Sequence, residues 1–532
     1  MQQILIRSRE GCGLLTWNGT ELSSQTSFAT VPDASDCCWS SDGSTMFVSA
    51  KSTLHVYSGT NLSLSATIQL VGLTTFFPSP SGAYVAVLCR PAEQKSDSYY
   101  NNLRIYRVSD QKLLYSDRVS SYTIEQWPLI SFSFDERFAI RVASEGVIFL
   151  ALSSSIEQSH VIYTYRQSNV FSASISPSLG SYHLVLFVKE HQQANHVIIN
   201  LTIPSHLALS GIGPTVLQRY VVGAANSVSI SWGQSNPSSL TNSMFYAVVK
   251  MNFDIDRANS SYHGTSKAVF VPFKRGLEAK RLALPNGPVQ AVEISKNSGD
   301  FIVLAGFNPC FGYIFDSNGN LKPSSLPQRN QAEVQYSHGG RLVAVAGFGN
   351  LRSGFAIYQS ENDCFKLRVD CSEVENVTTW SWLNDGSGLV IGTTSPRLRV
   401  NNMIGILLNN GVVAQTRDFD VLYSILPRPP RGDTSRIVDK IIPLTKTVAK
   451  PVEETSSAYI PPHLRNKVIE RKTTSLSELS GEIASVTIQP PRSSYLPPGL
   501  PLEHLSQHKP AKKKNSGGGT KKQAPAFVIE FE

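Results

Sequence analysis

The feature that most constrains this chain is a repeat. An apolar or aromatic stretch runs into Ser, then a turn with Gly or Asp, then a β-rich run. A second short strand follows ten to twenty residues later. Clear copies are Cys38-Trp39-Ser40-Ser41-Asp42-Gly43 before Met46-Phe47-Val48, and Phe77-Pro78-Ser79-Pro80-Ser81-Gly82 before Tyr84 to Leu88. Others are Phe132-Ser133-Phe134-Asp135, Ile175-Ser176-Pro177, Ile294-Ser295, Tyr336-Ser337 and Trp382 with Asp385-Gly386. A blurred copy lies at Ile230-Ser231-Trp232, ahead of Phe245 to Val249. Successive turns are about 40 to 60 residues apart, and a four-stranded propeller blade takes roughly 40–45 residues. The apolar runs are short, β-branched and punctuated by Gly, Ser, Asp and Pro, as strands are. No stretch before residue 420 sustains a helical period.

This grammar predicts an all-β protein with one β-propeller over residues 1–426. One blade cannot bury both faces of its own sheet, so blades stack radially. Eight copies are visible. The strands Ile4-Leu5-Ile6 and Leu14 to Trp17 are left over and could close the ring with strands beyond Gly411, so nine blades are favoured over eight.

The last fifth of the chain is made differently. Residues 427–532 hold 14 of the 30 prolines, no Trp and four aromatics, Tyr459, Tyr495, Phe527 and Phe531. Such a composition cannot offset the entropy of folding. A largely disordered tail is expected, with a short helix from Ser475 to Ile483 capped by Ser475. Charge follows the same division: 31 Lys+Arg against 30 Asp+Glu in residues 1–426, but 17 against 10 in the tail. The platform is neutral and the arm is basic, which argues against a uniformly basic nucleic-acid binder.

Other classes drop out. No run approaches the ~18 apolar residues needed to span a bilayer. Arg7, Arg9 and Glu10 interrupt any N-terminal signal core, so no secretory route and no membrane partner are expected. Seven cysteines with no framework spacing fit a reducing cytosol. Phosphate-loop, dinucleotide and nucleophile-elbow motifs are missing. His183, His191 and His196 lack the further ligands of a structural zinc, and Cys37-Cys38 read as buried small hydrophobes. The chain is expected to be no enzyme and to need no cofactor or metal.

Three stretches go beyond general propeller grammar: AGFGNLRSG at Ala346 to Gly354, TTSPRLRVNN at Thr393 to Asn402, and AYIPPHLRNK at Ala458 to Lys467. With AGFNPCFGYIFDSNGN (Ala305 to Asn320) and ILIRSREG (Ile4 to Gly11), in this order, they resemble eukaryotic translation initiation factor 2A. The resemblance is strongest over residues 289–410. Ser353, Asn401 and Met403 depart from the residues usual there. The resemblance implies a nine-bladed propeller in a monomeric, cytoplasmic, non-enzymatic initiation factor. Its partners would be the small ribosomal subunit and initiator methionyl-tRNA, which it would deliver without a GTPase of its own, with mRNA and other initiation factors as further contacts. The alternative is a propeller scaffold for protein partners with no direct tRNA role.

Candidate contacts follow from the residues. Arg397 and Arg399 alternate along an expected strand edge and so share a face. They either present two guanidiniums to phosphate or bridge blades, and the structural pair is the expectation, since motifs inside a propeller more often serve blade geometry. Gly347, Phe348 and Gly349 suggest a tight strand-to-loop passage. Lys512, Lys513, Lys514, Lys521 and Lys522 flank a triple glycine and read as a flexible basic arm for RNA phosphates. Tyr459, Pro461, Pro462, His463, Leu464 and Arg465 form an extended linear motif suited to docking in a partner's groove.

Overall fold

The computed structural model describes residues 1–431 and 437–444, apart from stretches at 92–99, 124–127, 153–160, 181, 191–194, 205–212, 236–243, 254–264, 285–286, 308, 349–350, 352–353 and 362–363. Beyond residue 444 it describes the strand Val528–Glu530. Nine four-stranded antiparallel sheets form a nine-bladed β-propeller. Blade 2 shows the pattern, with strands A to D at Ala34–Trp39, Thr45–Ala50, Thr53–Ser58 and Ser63–Gln69. The innermost A strands of blades 3 to 9 begin at Leu73, Ile130, Val170, Ser227, Val289, Glu333 and Thr379. Blade 1 is composite. Its A strand, Leu422–Pro427, comes from the far end of the sequence and pairs with Gln2–Ser8, followed outward by Gly11–Trp17 and Leu22–Ser24. The leftover N-terminal strands therefore close the ring as the repeat arithmetic suggested. A separate two-stranded ladder joins Ser121–Thr123 to Val528–Glu530.

Strand position explains the hydrophobic pattern. A B strand is covered on both faces by neighbouring blades, so it reads as a continuous apolar run rather than an alternating one. Thr45–Ala50, Phe301–Gly306, Leu342–Gly347 and Gly388–Thr393 are buried at every residue. Each large side chain buried there contributes about 1.5–3 kcal/mol. Outer strands such as Val413–Phe419 are mostly exposed. Tryptophans on A strands stitch blades together through their indole N–H groups. Trp39 donates to Leu426 O at 2.9 Å, Trp232 to Ser174 Oγ at 2.8 Å, Trp380 to Glu333 Oε2 at 2.6 Å and Trp382 to Gln335 O at 3.1 Å.

The ring has two faces. A–B turns lie on one, the turn face; B–C and D–A connections lie on the other, the loop face. The recurring Ser-x-Asp-Gly sequence builds the A–B turns. In blade 2, Asp42 Oδ1 accepts from Ser40 Oγ at 2.7 Å and from the Ser44 N–H at 2.9 Å, while Gly43 takes a left-handed φ of 66°. Ser133 and Asp135 repeat the contact in blade 4 at 2.9 Å. Blade 8 has Ser337-His338-Gly339-Gly340, with no acid at the corresponding position.

The missing acid arrives from beyond the ring. The sequence boundary at 426/427 is overtaken here: the compact propeller unit continues to Thr445. Residues 428–431 and 437–444 form an extended strap on the turn face. Asp439 Oδ2 accepts from Ser337 Oγ at 2.6 Å and the Arg341 N–H at 2.9 Å, and its Oδ1 accepts from the Gly339 N–H at 3.0 Å. A Cβ added at Gly339 or Gly386 would come within 2.6 or 2.3 Å of this carboxylate, so both positions must stay bare. The Lys440 N–H donates to Asp385 O at 2.7 Å, and Asn409 Nδ2 donates to Lys440 O at 2.8 Å. Nearer blade 1, buried Arg428 donates from Nε to Gly43 O at 2.6 Å and lies 4.9 Å from the Trp39 ring centre. Tail-like composition did not prevent order because donors waiting on the blade turns satisfy the strap's polar groups.

Candidate nucleic-acid interface

On the loop face, the connection from Gly388–Thr393 to Asn402–Leu408 carries the sequence Ser395-Pro396-Arg397-Leu398-Arg399-Val400. Its stem is tied down. The Ser395 N–H donates to Leu422 O at 2.7 Å, the Leu398 N–H to Thr394 O at 3.0 Å, and Asn402 Nδ2 to Leu398 O at 2.9 Å. Asn402 is itself buried and accepts the Leu422 N–H at 2.9 Å. Asn401 holds a left-handed φ of 52°, a conformation that Asn tolerates better than most residues.

The tip is open. Arg397 and Arg399 are exposed, and neither has a hydrogen bond or ion pair among the described residues. Val400 is 68% exposed. The expectation of a structural pair on a strand edge is thus corrected. The strand ends at Thr393, Pro396 follows, and both guanidiniums sit in a loop without a blade partner. Next to this loop lies the first hairpin of blade 1, whose Arg9 N–H donates to Val421 O at 3.1 Å. The Arg7 guanidinium carbon stands 4.6 Å from the centre of the half-exposed Tyr423 ring. Arg7 thus stands against the Tyr423 ring, while backbone bonds tie Arg9 and the stem of the Arg397–Arg399 loop to the adjoining residues Val421 and Leu422; Glu10, Asp418 and Asp420 are exposed nearby in sequence. Guanidiniums can pair with phosphate, and an exposed ring can stack on a base. Sequence reasoning missed Arg7, Arg9 and Tyr423. Only the ring-closing pair of strands brings residue 7 beside residue 423.

The other candidates separate. His183 is buried against Phe245 and Phe273, and burial pulls its pKa down to about 4. His196 accepts the Ala225 N–H at 2.9 Å. The two sit at different places along one hairpin, opposite Thr202 and Lys189, and His191 lies outside the described residues. No group of three metal-ligating side chains occurs among the described residues. Cys37 packs with Cys12 in the core between blades 1 and 2, its Sγ 3.9 Å from Ser424 Oγ. The glycine requirement expected at Gly347 falls on Gly354, which has φ 55° and would clash with Cys371 O through a Cβ; Gly349 lies outside the described residues. So do the expected helix at 475–483, the lysines at 512–514, 521 and 522, and the motif from Tyr459 to Arg465. No helix among the described residues is long and apolar enough to cross a membrane.

A nine-bladed ring thus presents arginines and an aromatic on one rim, and the known proteins it resembles are translation initiation factors. Residues 225–425 match the family model described as "Eukaryotic translation initiation factor eIF2A". A Schizosaccharomyces pombe protein named eukaryotic translation initiation factor 2A is 24% identical over 517 residues, covering 94% of this chain and 85% of that protein. Proteins of the same name match from Saccharomyces cerevisiae (28% identity, 51% of this chain and 39% of that one) and Caenorhabditis elegans (24% identity, 68% and 63%). A solved structure titled "Crystal structure of the eukaryotic initiation factor" superposes with a TM-score of 0.67 at 20% identity, covering 81% of this chain and all of that one, and shares the fold. Over these stretches the chain is similar to proteins named eukaryotic translation initiation factor 2A.

Proposed function

We propose that this chain is a non-enzymatic, cytoplasmic initiation factor that binds the small ribosomal subunit and promotes delivery of initiator methionyl-tRNA without a GTPase of its own. The observation that carries the reading is the pair of exposed, unpartnered guanidiniums at Arg397 and Arg399, held on a hydrogen-bonded stem beside Arg7, Arg9 and Tyr423. Such a rim supplies phosphate contacts and a stacking surface, which suit folded RNA. The lysines at 512–514, 521 and 522 would add affinity without sequence choice, and Tyr459 to Arg465 would dock on a protein of the initiation machinery.

The test is sedimentation of the purified protein with purified small subunits across a salt series, alongside direct binding to charged initiator tRNA. The reading expects co-sedimentation that weakens steeply with salt, and a loss of binding in the Arg397→Gln, Arg399→Gln double variant. Binding of neither subunit nor tRNA, with protein partners retained, would establish the scaffold alternative instead.

A further inference from the structure

Away from the arginine rim, a polar recess opens on the loop face between blades 4 and 5. Its volume is about 710 Å³, within the roughly 300–1,000 Å³ of small-molecule sites and far larger than a bare phosphate needs. The D–A connection before blade 4 supplies Arg118 and Ser120. The inner strands of blades 4 and 5 supply Ser131 and Ser172, and the end of Phe138–Ala143 supplies Arg141 and, just beyond, Ser144.

The lining has a definite sign. Among the described residues it contains two guanidiniums and no carboxylate; that of Arg118 stacks on Tyr100 and donates to its carbonyl at 3.2 Å. Arg141 is only 8% exposed. One end of its guanidinium is engaged, since Nη1 pairs with Asp117 and donates to the Tyr115 hydroxyl at 2.9 Å, but its buried Nε has no partner among the described residues. A buried guanidinium N–H left without an acceptor is unfavourable, and an incoming anion would supply one. The hydroxyls of Ser120, Ser131, Ser144 and Ser172 make no hydrogen bond among the described residues. Lys189 adds a third cation close by, its Nζ 4.0 Å from the centre of the Phe171 ring that also lines the recess. Phe171 and Ile230 give the wall an apolar portion beside the polar one.

We propose that this recess binds a nucleotide, with the phosphate held by Arg118, Arg141 and the serine hydroxyls and the base placed against Phe171 and Ile230. Guanidinium forks and hydroxyl donors fit phosphate oxygens. The spare volume and the apolar wall call for a ligand larger than the free ion. This site shares no lining residue with the arginine rim.

The experiment titrates the full-length protein with inorganic phosphate, adenosine monophosphate and a fluorescent RNA tetranucleotide, in wild type and in Arg118→Glu and Ser172→Val variants. Melting curves confirm that each variant is folded. The expected result is binding of the monophosphate or the tetranucleotide, weakened at least about tenfold in both variants. The tighter of the two identifies a free nucleotide or a nucleotide within a strand as the source. Inorganic phosphate binding as tightly as both nucleotide probes would overturn the assignment of a nucleotide. Failure of all three probes at millimolar concentration, or equal binding in wild type and folded variants, would overturn the site.

Discussion

The turn face and the loop face of this propeller use the same kinds of charged residue in opposite ways. On the turn face Asp439 and Arg428 are buried: Asp439 accepts three hydrogen bonds from the blade 8 turn, and Arg428 donates to Gly43 O of blade 2 and to the Gln3 side chain of blade 1. On the loop face Arg397 and Arg399 project from a well-anchored stem and make no hydrogen bond or ion pair among the described residues. The first arrangement spends charge on holding neighbouring blades in register. The second leaves it available to a partner. The difference teaches where to look for function in a propeller: at charges whose surroundings are ordered but whose own bonds are unmade.

The largest test of this contrast removes the closing strand and strap together. A chain ending before Leu422 leaves Gln2–Ser8 without its inner neighbour. It is expected to lose cooperative unfolding and near-ultraviolet dichroism; a sharp melt in that truncation would show that the ring does not need closure.

A finer cut is Asp439→Ala, which strands two N–H groups and the Ser337 hydroxyl. It should destabilise by about 3 kcal/mol, read from denaturant midpoints against wild type. Asp439→Asn, which retains one acceptor oxygen, should recover part of that loss.

A second, half-buried acid sharpens the point. Glu293 has one long hydrogen bond, from the Tyr336 N–H at 3.4 Å, and burial raises its pKa to about 7. Its folded pKa thus exceeds its unfolded value of 4.5. The folded state binds the extra proton between these values, so its stabilising contribution is full below pH 4.5 and is lost as pH rises through 7. Glu293→Gln should flatten that part of the stability profile and gain up to about 3 kcal/mol at pH 8. An unchanged profile in the variant would mean that the carboxylate is already satisfied, as Asp439 is.

The smallest effect on folding is expected at the rim. Arg397→Gln with Arg399→Gln should shift stability by less than about 0.5 kcal/mol. If each arginine meets one phosphate, the same pair should lower the salt slope of RNA binding by about 2. A melting loss comparable to that of Asp439→Ala would make the rim structural after all and erase the distinction between the faces.

The ring was legible in the sequence because each blade repeats its own turn chemistry. Ser40 with Asp42 and Ser133 with Asp135 announce A–B turns locally, and the B strands follow as short apolar runs. The strap was not legible, because prolines at 427, 429, 430 and 443 resemble those of the unstructured tail. One signal was nevertheless present: Gly339 stands where Asp42 and Asp135 stand in other blades, a turn short of its acid. Arg397 and Arg399 were placed on the wrong element, since alternation alone cannot distinguish a strand from a loop that follows Ser395-Pro396. Arg7 and Tyr423 lie more than four hundred residues apart, and no local pattern pairs them.

The composite blade also sets a timetable. Gln2–Ser8 is among the first segments synthesised, and its inner partner Leu422–Pro427 comes some four hundred residues later. At about 5–20 residues per second, the ring stays open for roughly twenty to ninety seconds on every ribosome that makes it. Throughout that interval an apolar strand edge waits unpaired, a template for any other chain nearby. A chain that resembles translation factors is therefore itself exposed to the speed of translation, and slow elongation lengthens the time during which its first blade is half built.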